Sequence, residues 1–113
     1  MKISKLSLDG ALLLEYQPHR DERGAFCEMY RQEQLDEAAG QPVRFIQDNE
    51  AVSKIGVVRG LHYQKPPFAQ SKLVRVVQGA VLDVIIDIRH GSPTFGQHLL
   101  TKLSADKPQQ RFV

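Results

Sequence analysis

The sequence predicts an all-β fold, an antiparallel jelly roll or β-sandwich carrying one short helix. Three observations predict it. Val- and Ile-rich runs of strand length recur through the second half, Gly- and Pro-marked turns separate them, and only one stretch keeps a helical period. At 113 residues the chain is expected to form one domain, residues 1–113.

Residues 6–16 hold two apolar runs on either side of Asp9-Gly10. Asp-Gly is a strong turn signal, so this stretch reads as a hairpin or as two strands meeting at a corner. Residues 18–24, rich in charge, read as a loop, and residues 25–30 as a strand. Residues 31–39 read as the helix: Leu35, Ala38 and Ala39 form a thin apolar side, and Gly40, followed by Gln41-Pro42, supplies the stop. Under three turns long, it needs packing to persist.

From Val43 the helical period is gone. Residues 43–47, 72–77 and 80–88 read as strands, with Gln78-Gly79 as the hairpin turn between the last two. In residues 80–88 the period of two puts Leu82, Val84, Ile86 and Ile88 on one side and Asp83 and Asp87 on the other. Residues 65–69, with Pro66-Pro67, form a loop. Gly91-Ser92-Pro93 marks a turn before a strand over 94–103. The final run, Gln109-Gln110-Arg111-Phe112-Val113, reads as the opening of another strand. A sandwich stopping there would expose edges and apolar faces, so the sequence is expected to be a fragment lacking the fold's C-terminal strands.

Composition excludes several functions. Fifteen Lys and Arg against 13 Asp and Glu give a formal charge of +2, too small for a general nucleic-acid binder. The charge is uneven, net negative over residues 1–56 and net positive over 57–113, a polarity suited to guiding a small anion or to pairing protomers front to back. No run approaches a membrane-spanning length. Cys27 is the only cysteine, which rules out an intrachain disulfide and fits a reducing, cytoplasmic setting. Beside Glu28 it is a poor nucleophile. No glycine-rich phosphate loop opens a helix.

The densest polar group lies between Gln47 and Lys72: Gln47, Asp48, Asn49, Arg59, His62, Tyr63, Gln64 and Lys72. Arg and Lys are costly to bury without an anion. Their presence beside apolar runs points to an anion cleft, or else to side chains that snorkel to solvent at strand ends. His62 is the candidate base, because imidazole titrates near neutrality, and Arg59 and Lys72 are suited to holding oxyanion or phosphate charge.

The spacing Gly56, His62, Gln64, Lys72, Gly79 resembles the first signature of the cupin superfamily. Gln64 and Lys72 stand where that signature has a histidine and a glutamate ligand. An ammonium there repels a divalent cation, and an amide is a weak ligand, so a metal-free, cupin-like site is expected.

Further runs carry a more specific resemblance. They are Asp21-Glu22-Arg23-Gly24 with Phe26 and Glu28; Phe45-Ile46-Gln47-Asp48-Asn49; Val58-Arg59-Gly60-Leu61-His62-Tyr63-Gln64; Lys72-Leu73-Val74-Arg75-Val76 with Gly79; and Asp87-Ile88-Arg89 followed by Ser92-Pro93-Thr94-Phe95-Gly96. In this order and spacing the chain resembles the dTDP-4-dehydrorhamnose 3,5-epimerase family along its whole length. The resemblance implies an isomerase that epimerises C3 and C5 of dTDP-4-dehydro-6-deoxy-D-glucose in rhamnose and lipopolysaccharide precursor synthesis. It implies no cofactor and no metal, a homodimer, and neither nucleic acid nor membrane as a partner. His62 is the implied proton-abstracting base and Lys72 the implied enolate stabiliser. Arg23, Glu28, Gln47, Asp48, Asn49 and Arg59 are the implied substrate-binding residues.

Two departures accompany the resemblance. Glu50 and Ala51 stand where the family commonly has His and Ser. The family's donor tyrosine and the carboxylate paired with its basic histidine lie in motifs these residues do not contain, so negligible epimerase turnover is expected of the chain. The alternatives are a nonenzymatic sugar-nucleotide-binding protein and a related sugar-nucleotide ketoisomerase.

Overall fold

The computed structural model describes residues 1–113. Its first strands, β1 (Lys2–Lys5) and β2 (Leu12–Glu15), form an antiparallel pair in which Ile3 faces Leu14. The link between them is tightened by the Leu6 N–H donating to the Ala11 carbonyl at 2.9 Å, with Gly10 at φ 79°. Asp9-Gly10 is therefore a hairpin link. A second hairpin follows, β3 (His19–Asp21) with β4 (Gly24–Phe26). Charge made this stretch read as a loop. Its turn is closed by the Asp21 carboxylate, which accepts from the Arg23 backbone N–H at 2.9 Å.

Helix α1 (Gln32–Ala39) ends at Gly40, whose N–H donates to the Glu37 carbonyl and whose φ of 71° turns the chain so that the Gln41 N–H donates to the Asp36 carbonyl. Leu35 is fully buried and anchors the helix on Leu12, Leu14, Tyr16, Val43 and Phe112. The remaining strands are β5 (Leu73–Arg75), β6 (Ala80–Ile86), β7 (His98–Ser104) and β8 (Gln109–Phe112).

The strands do not form the expected cupin-like jelly roll or sandwich. They form three antiparallel sheets: β1-β2-β8-β5, β3-β4 and β6-β7. Two features of the pairing prevent closure. First, residues 43–47 make no strand. The Val43 N–H donates to the Asp36 carboxylate at 2.7 Å and its carbonyl accepts from the Gln32 amide at 3.3 Å, so the helix takes the backbone groups a ladder needs. Second, Gln78-Gly79 is not a hairpin turn. Strand β8 occupies the edge of β5, with Val74 opposite Arg111, and β6 pairs instead with β7 over its whole length. The four-stranded sheet ends at β1 and β5, and the β6-β7 pair has no third strand.

The final run is a strand, as read, but an internal one between β2 and β5. Leu12 and Phe112 lie opposite each other on the helix-covered face. Arg111 projects from the other face to Asp83 of β6. This ion pair leaves Arg111 only 2% exposed, and its guanidinium also donates to the Asp83 carbonyl at 3.2 Å. Burial lowers the Arg111 pKa more strongly than Asp83 raises it. No helix is long and apolar enough to cross a membrane.

Candidate active site

The segment from Ile46 to Lys72 carries most of the candidate chemistry and contains no strand or helix, and every residue in it is exposed. Turns at Lys54–Val57 and Lys65–Phe68 each close with one backbone hydrogen bond. The segment is tied down at both ends. Helix α1 grips Val43, and Phe45 meets the Tyr30 ring edge-on, with centroids 5.8 Å apart. At the other end, Lys72 exchanges both backbone hydrogen bonds with Val113, extending the β5-β8 ladder by one step.

Within the segment the Gln47 amide donates to the Asn49 side-chain oxygen at 3.0 Å, fixing two of the three polar groups in that motif. Asp48, Glu50 and Ala51 are exposed. The Arg59 Nε donates to Ser53 Oγ at 3.0 Å and its Nη2 to the Val52 carbonyl at 3.5 Å. His62 lies over Gly60: a Cβ at Gly60 would sit 2.9 Å from His62 Nδ1, and Gly60 has φ 97°. Only glycine accommodates both that backbone conformation and the imidazole without displacement.

Arg23 and Glu28 are engaged locally. Arg23 donates to Asp21 from Nε and Nη2, at 3.1 and 2.6 Å, and lines a shallow depression on the β3-β4 hairpin with His19 and Phe26. Glu28 accepts a bidentate pair from Arg31 at 3.0 and 2.5 Å. The Arg23 hydrogen bond holds the Asp21 carboxyl below its ordinary pKa, and the Arg31 hydrogen bond does the same for Glu28. Thus the structure joins Gln47 to Asn49 and seats His62 against Gly60, while Arg23 and Glu28 are held in separate ion pairs. No three His, Cys, Asp or Glu side chains converge as a group able to hold a metal.

The most heavily bonded polar group is elsewhere. Asp87, 5% exposed, accepts from Arg89 Nε and Nη2, from Ser92 Oγ at 2.5 Å and from Thr94 Oγ1 at 2.7 Å. These bonds, Arg89's foremost, hold its carboxyl far below the usual range. Arg89 also donates to the Asp9 carbonyl, and Thr94 Oγ1 accepts from the Asp9 N–H, so this knot anchors the β1-β2 link. Sequence reasoning quoted Asp87, Arg89, Ser92 and Thr94 without giving them a role, and it missed Ser53. The run Asp-x-Arg-x-x-Ser-x-Thr across a turn was a signal for the knot; nothing in the sequence singled out Ser53.

Residues 5–113 match the family model for dTDP-4-dehydrorhamnose 3,5-epimerase. The chain is 47% identical over 113 residues to the enzyme of that name from Pseudomonas aeruginosa, covering all of this chain and 62% of the relative. It superposes with a TM-score of 0.96 on the crystal structure of the enzyme from Elizabethkingia anophelis, at 42% identity, covering 100% of this chain and 62% of that one. The structure of the Bacillus anthracis enzyme, with TDP and PPi bound, aligns with a TM-score of 0.89 at 44% identity, covering 99% of this chain and 64% of that one. The chain therefore spans less than two thirds of the length of these relatives.

Proposed function

The chain belongs to the dTDP-4-dehydrorhamnose 3,5-epimerase family, and on that premise we propose that it carries the proton-abstracting and anion-binding residues of an epimerase acting on dTDP-4-dehydro-6-deoxy-D-glucose. The observation that carries the reading is the Arg59–His62 segment, where an exposed imidazole seated on Gly60 follows, three residues along the chain, a guanidinium that no carboxylate neutralises.

The 4-keto group acidifies the hydrogens on C3 and C5. His62 removes one as a proton, and the bonding pair moves into a new double bond to C4 as the carbonyl pair moves onto its oxygen. The Lys72 ammonium stabilises that enolate oxygen. A proton delivered from water to the opposite face restores the ketone with inverted configuration, and His62 releases to solvent the proton it took, so there is no net change in atoms. Arg59 and Arg23 take the diphosphate, for which guanidinium forks are suited. Glu28, Gln47, Asp48 and Asn49 orient the sugar and thymidine portions. TDP and PPi in the Bacillus anthracis relative support this choice of ligand. The same reading makes the protein a homodimer in deoxysugar precursor synthesis, and the lone, unpaired Cys27 fits the reducing, cytoplasmic setting that goes with it.

The test is deuterium incorporation from D2O into the 4-keto sugar nucleotide, followed by proton NMR. Exchange reports abstraction alone and does not require the epimerised product to accumulate. Exchange at C3 and C5 is expected, abolished by His62→Ala, with dTDP affinity nearly unchanged. Exchange that survives His62→Ala removes His62 as the base, and dTDP binding without any exchange favours a nonenzymatic binding protein.

A further inference from the structure

Of the arginines fixed by side-chain hydrogen bonds, Arg23, Arg31, Arg89 and Arg111 each hold a carboxylate. Arg59 alone is fixed entirely by neutral oxygens, Ser53 Oγ on Nε and the Val52 carbonyl on Nη2. The difference has a chemical consequence. A carboxylate partner would cancel most of the charge and occupy the donor fork, whereas a hydroxyl and a carbonyl fix the side chain while leaving its charge whole. Both contacts use the Nε–Nη2 edge, so the Nη1–Nη2 end keeps its donors free in the geometry that two phosphate oxygens accept. A flexible arginine loses rotamer freedom when it is ordered on a ligand. Ordering it beforehand removes part of that cost.

We propose that Ser53 is a positioning residue that holds Arg59 ready for the diphosphate of a nucleotide ligand. The proposal rests on the sugar-nucleotide reading and adds a residue that the sequence motifs do not reach. Ser53 touches no ligand; it acts through the Arg59 Nε–H.

The experiment measures binding of inorganic pyrophosphate, dTDP and thymidine to the chain and its variants by titration calorimetry, with NMR of the Arg59 Nε–Hε signal in the ligand-free protein. Ser53→Ala is expected to weaken pyrophosphate and dTDP about fivefold, the factor set by one hydrogen bond of ordinary net strength, and to leave thymidine unchanged. It should also speed solvent exchange of the Arg59 Nε–H. Ser53→Thr, which keeps the hydroxyl, should restore both readouts. In an Arg59→Ala background, Ser53→Ala should change nothing further. Pyrophosphate affinity untouched by Ser53→Ala, or lost by the same factor without Arg59, overturns the proposal. Coupled loss of pyrophosphate in a protein indifferent to dTDP upholds the Ser53–Arg59 pairing and removes the nucleotide reading; a wild-type chain that binds neither overturns both.

Discussion

Removing the Asp83 carboxylate is expected to cost more stability than removing any single surface charge. Arg111 is 2% exposed, and its Nε already lacks a partner, so Asp83 is its only counter-charge. Breaking a buried pair from one side costs about 3–5 kcal/mol, because the remaining ion is stranded. A domain of this length has on the order of 6–17 kcal/mol of stability. With only 12 of 113 residues buried, this one belongs at the lower end, and Asp83→Ala should remove half of its stability or more. In urea, with a slope of about 1–3 kcal/mol per molar, the midpoint followed by circular dichroism should fall by at least about 1 M. The double variant Asp83→Leu/Arg111→Met should recover most of the loss, because an apolar pair pays no desolvation penalty, and it remains readable even if Asp83→Ala does not fold. A single variant within about 1 kcal/mol of wild type, below the range for a stranded ion, would refute the reasoning. So would a double variant as weak as the single one.

Gly60→Ala should cost about 1–3 kcal/mol, because a Cβ is strained at φ 97°. It should also shift the His62 ring resonances, since the new methyl collides with Nδ1; unmoved resonances would contradict the seating of the ring on Gly60. The Asp87 knot predicts a pH dependence. Its folded pKa lies below the unfolded value, so its contribution is complete above the ordinary carboxylate pKa of about 4 and is lost as pH falls from there toward the depressed folded pKa. Thermal unfolding followed from pH 7 to pH 2 should show that acid-dependent loss in wild type and a flatter profile in Asp87→Asn.

Local chemistry made some elements legible and long-range pairing hid others. The helix was readable because Leu35, Ala38 and Ala39 keep its period and Gly40 supplies the left-handed stop. The β1-β2 hairpin was readable from Asp9-Gly10. The β3-β4 hairpin was not, because its strands are three residues long, exposed and charged, with no apolar alternation to announce them. Residues 43–47 have strand composition, yet Gln32 and Asp36 capture the backbone of Val43, a contact no propensity contains. Gln78-Gly79 has the makings of a hairpin turn, but whether β5 pairs with β6 depends on β8, more than thirty residues away. Residue type and spacing singled out His62, Arg59 and Lys72, and the family resemblance added Arg23, Glu28 and the roles given to Gln47, Asp48 and Asn49. The ion pairs that hold Arg23 and Glu28, and the hydroxyl that holds Arg59, belong to the folded chain alone.

The same dependence on distant partners explains the orientation of β6. Its period of two separates Leu82 and Ile86 from Asp83 as cleanly as a half-buried strand allows. Burial by hydrophobicity alone would turn the leucine and isoleucine inward. In the structure Leu82 is 64% and Ile86 41% exposed, with Val84 between them half-buried, while Asp83 faces Arg111. Strand β8 decides the matter. It must place Phe112 among the helix-facing leucines, and in a pleated strand that sends Arg111 to the opposite face. An unpaired buried guanidinium costs several kcal/mol, more than the roughly 1.5–3 kcal/mol gained by fully burying one aliphatic side chain. The acidic side of β6 therefore turns inward to meet it, and Leu103 of β7, opposite Val81 in the ladder and so on the same face as Asp83, is fully buried.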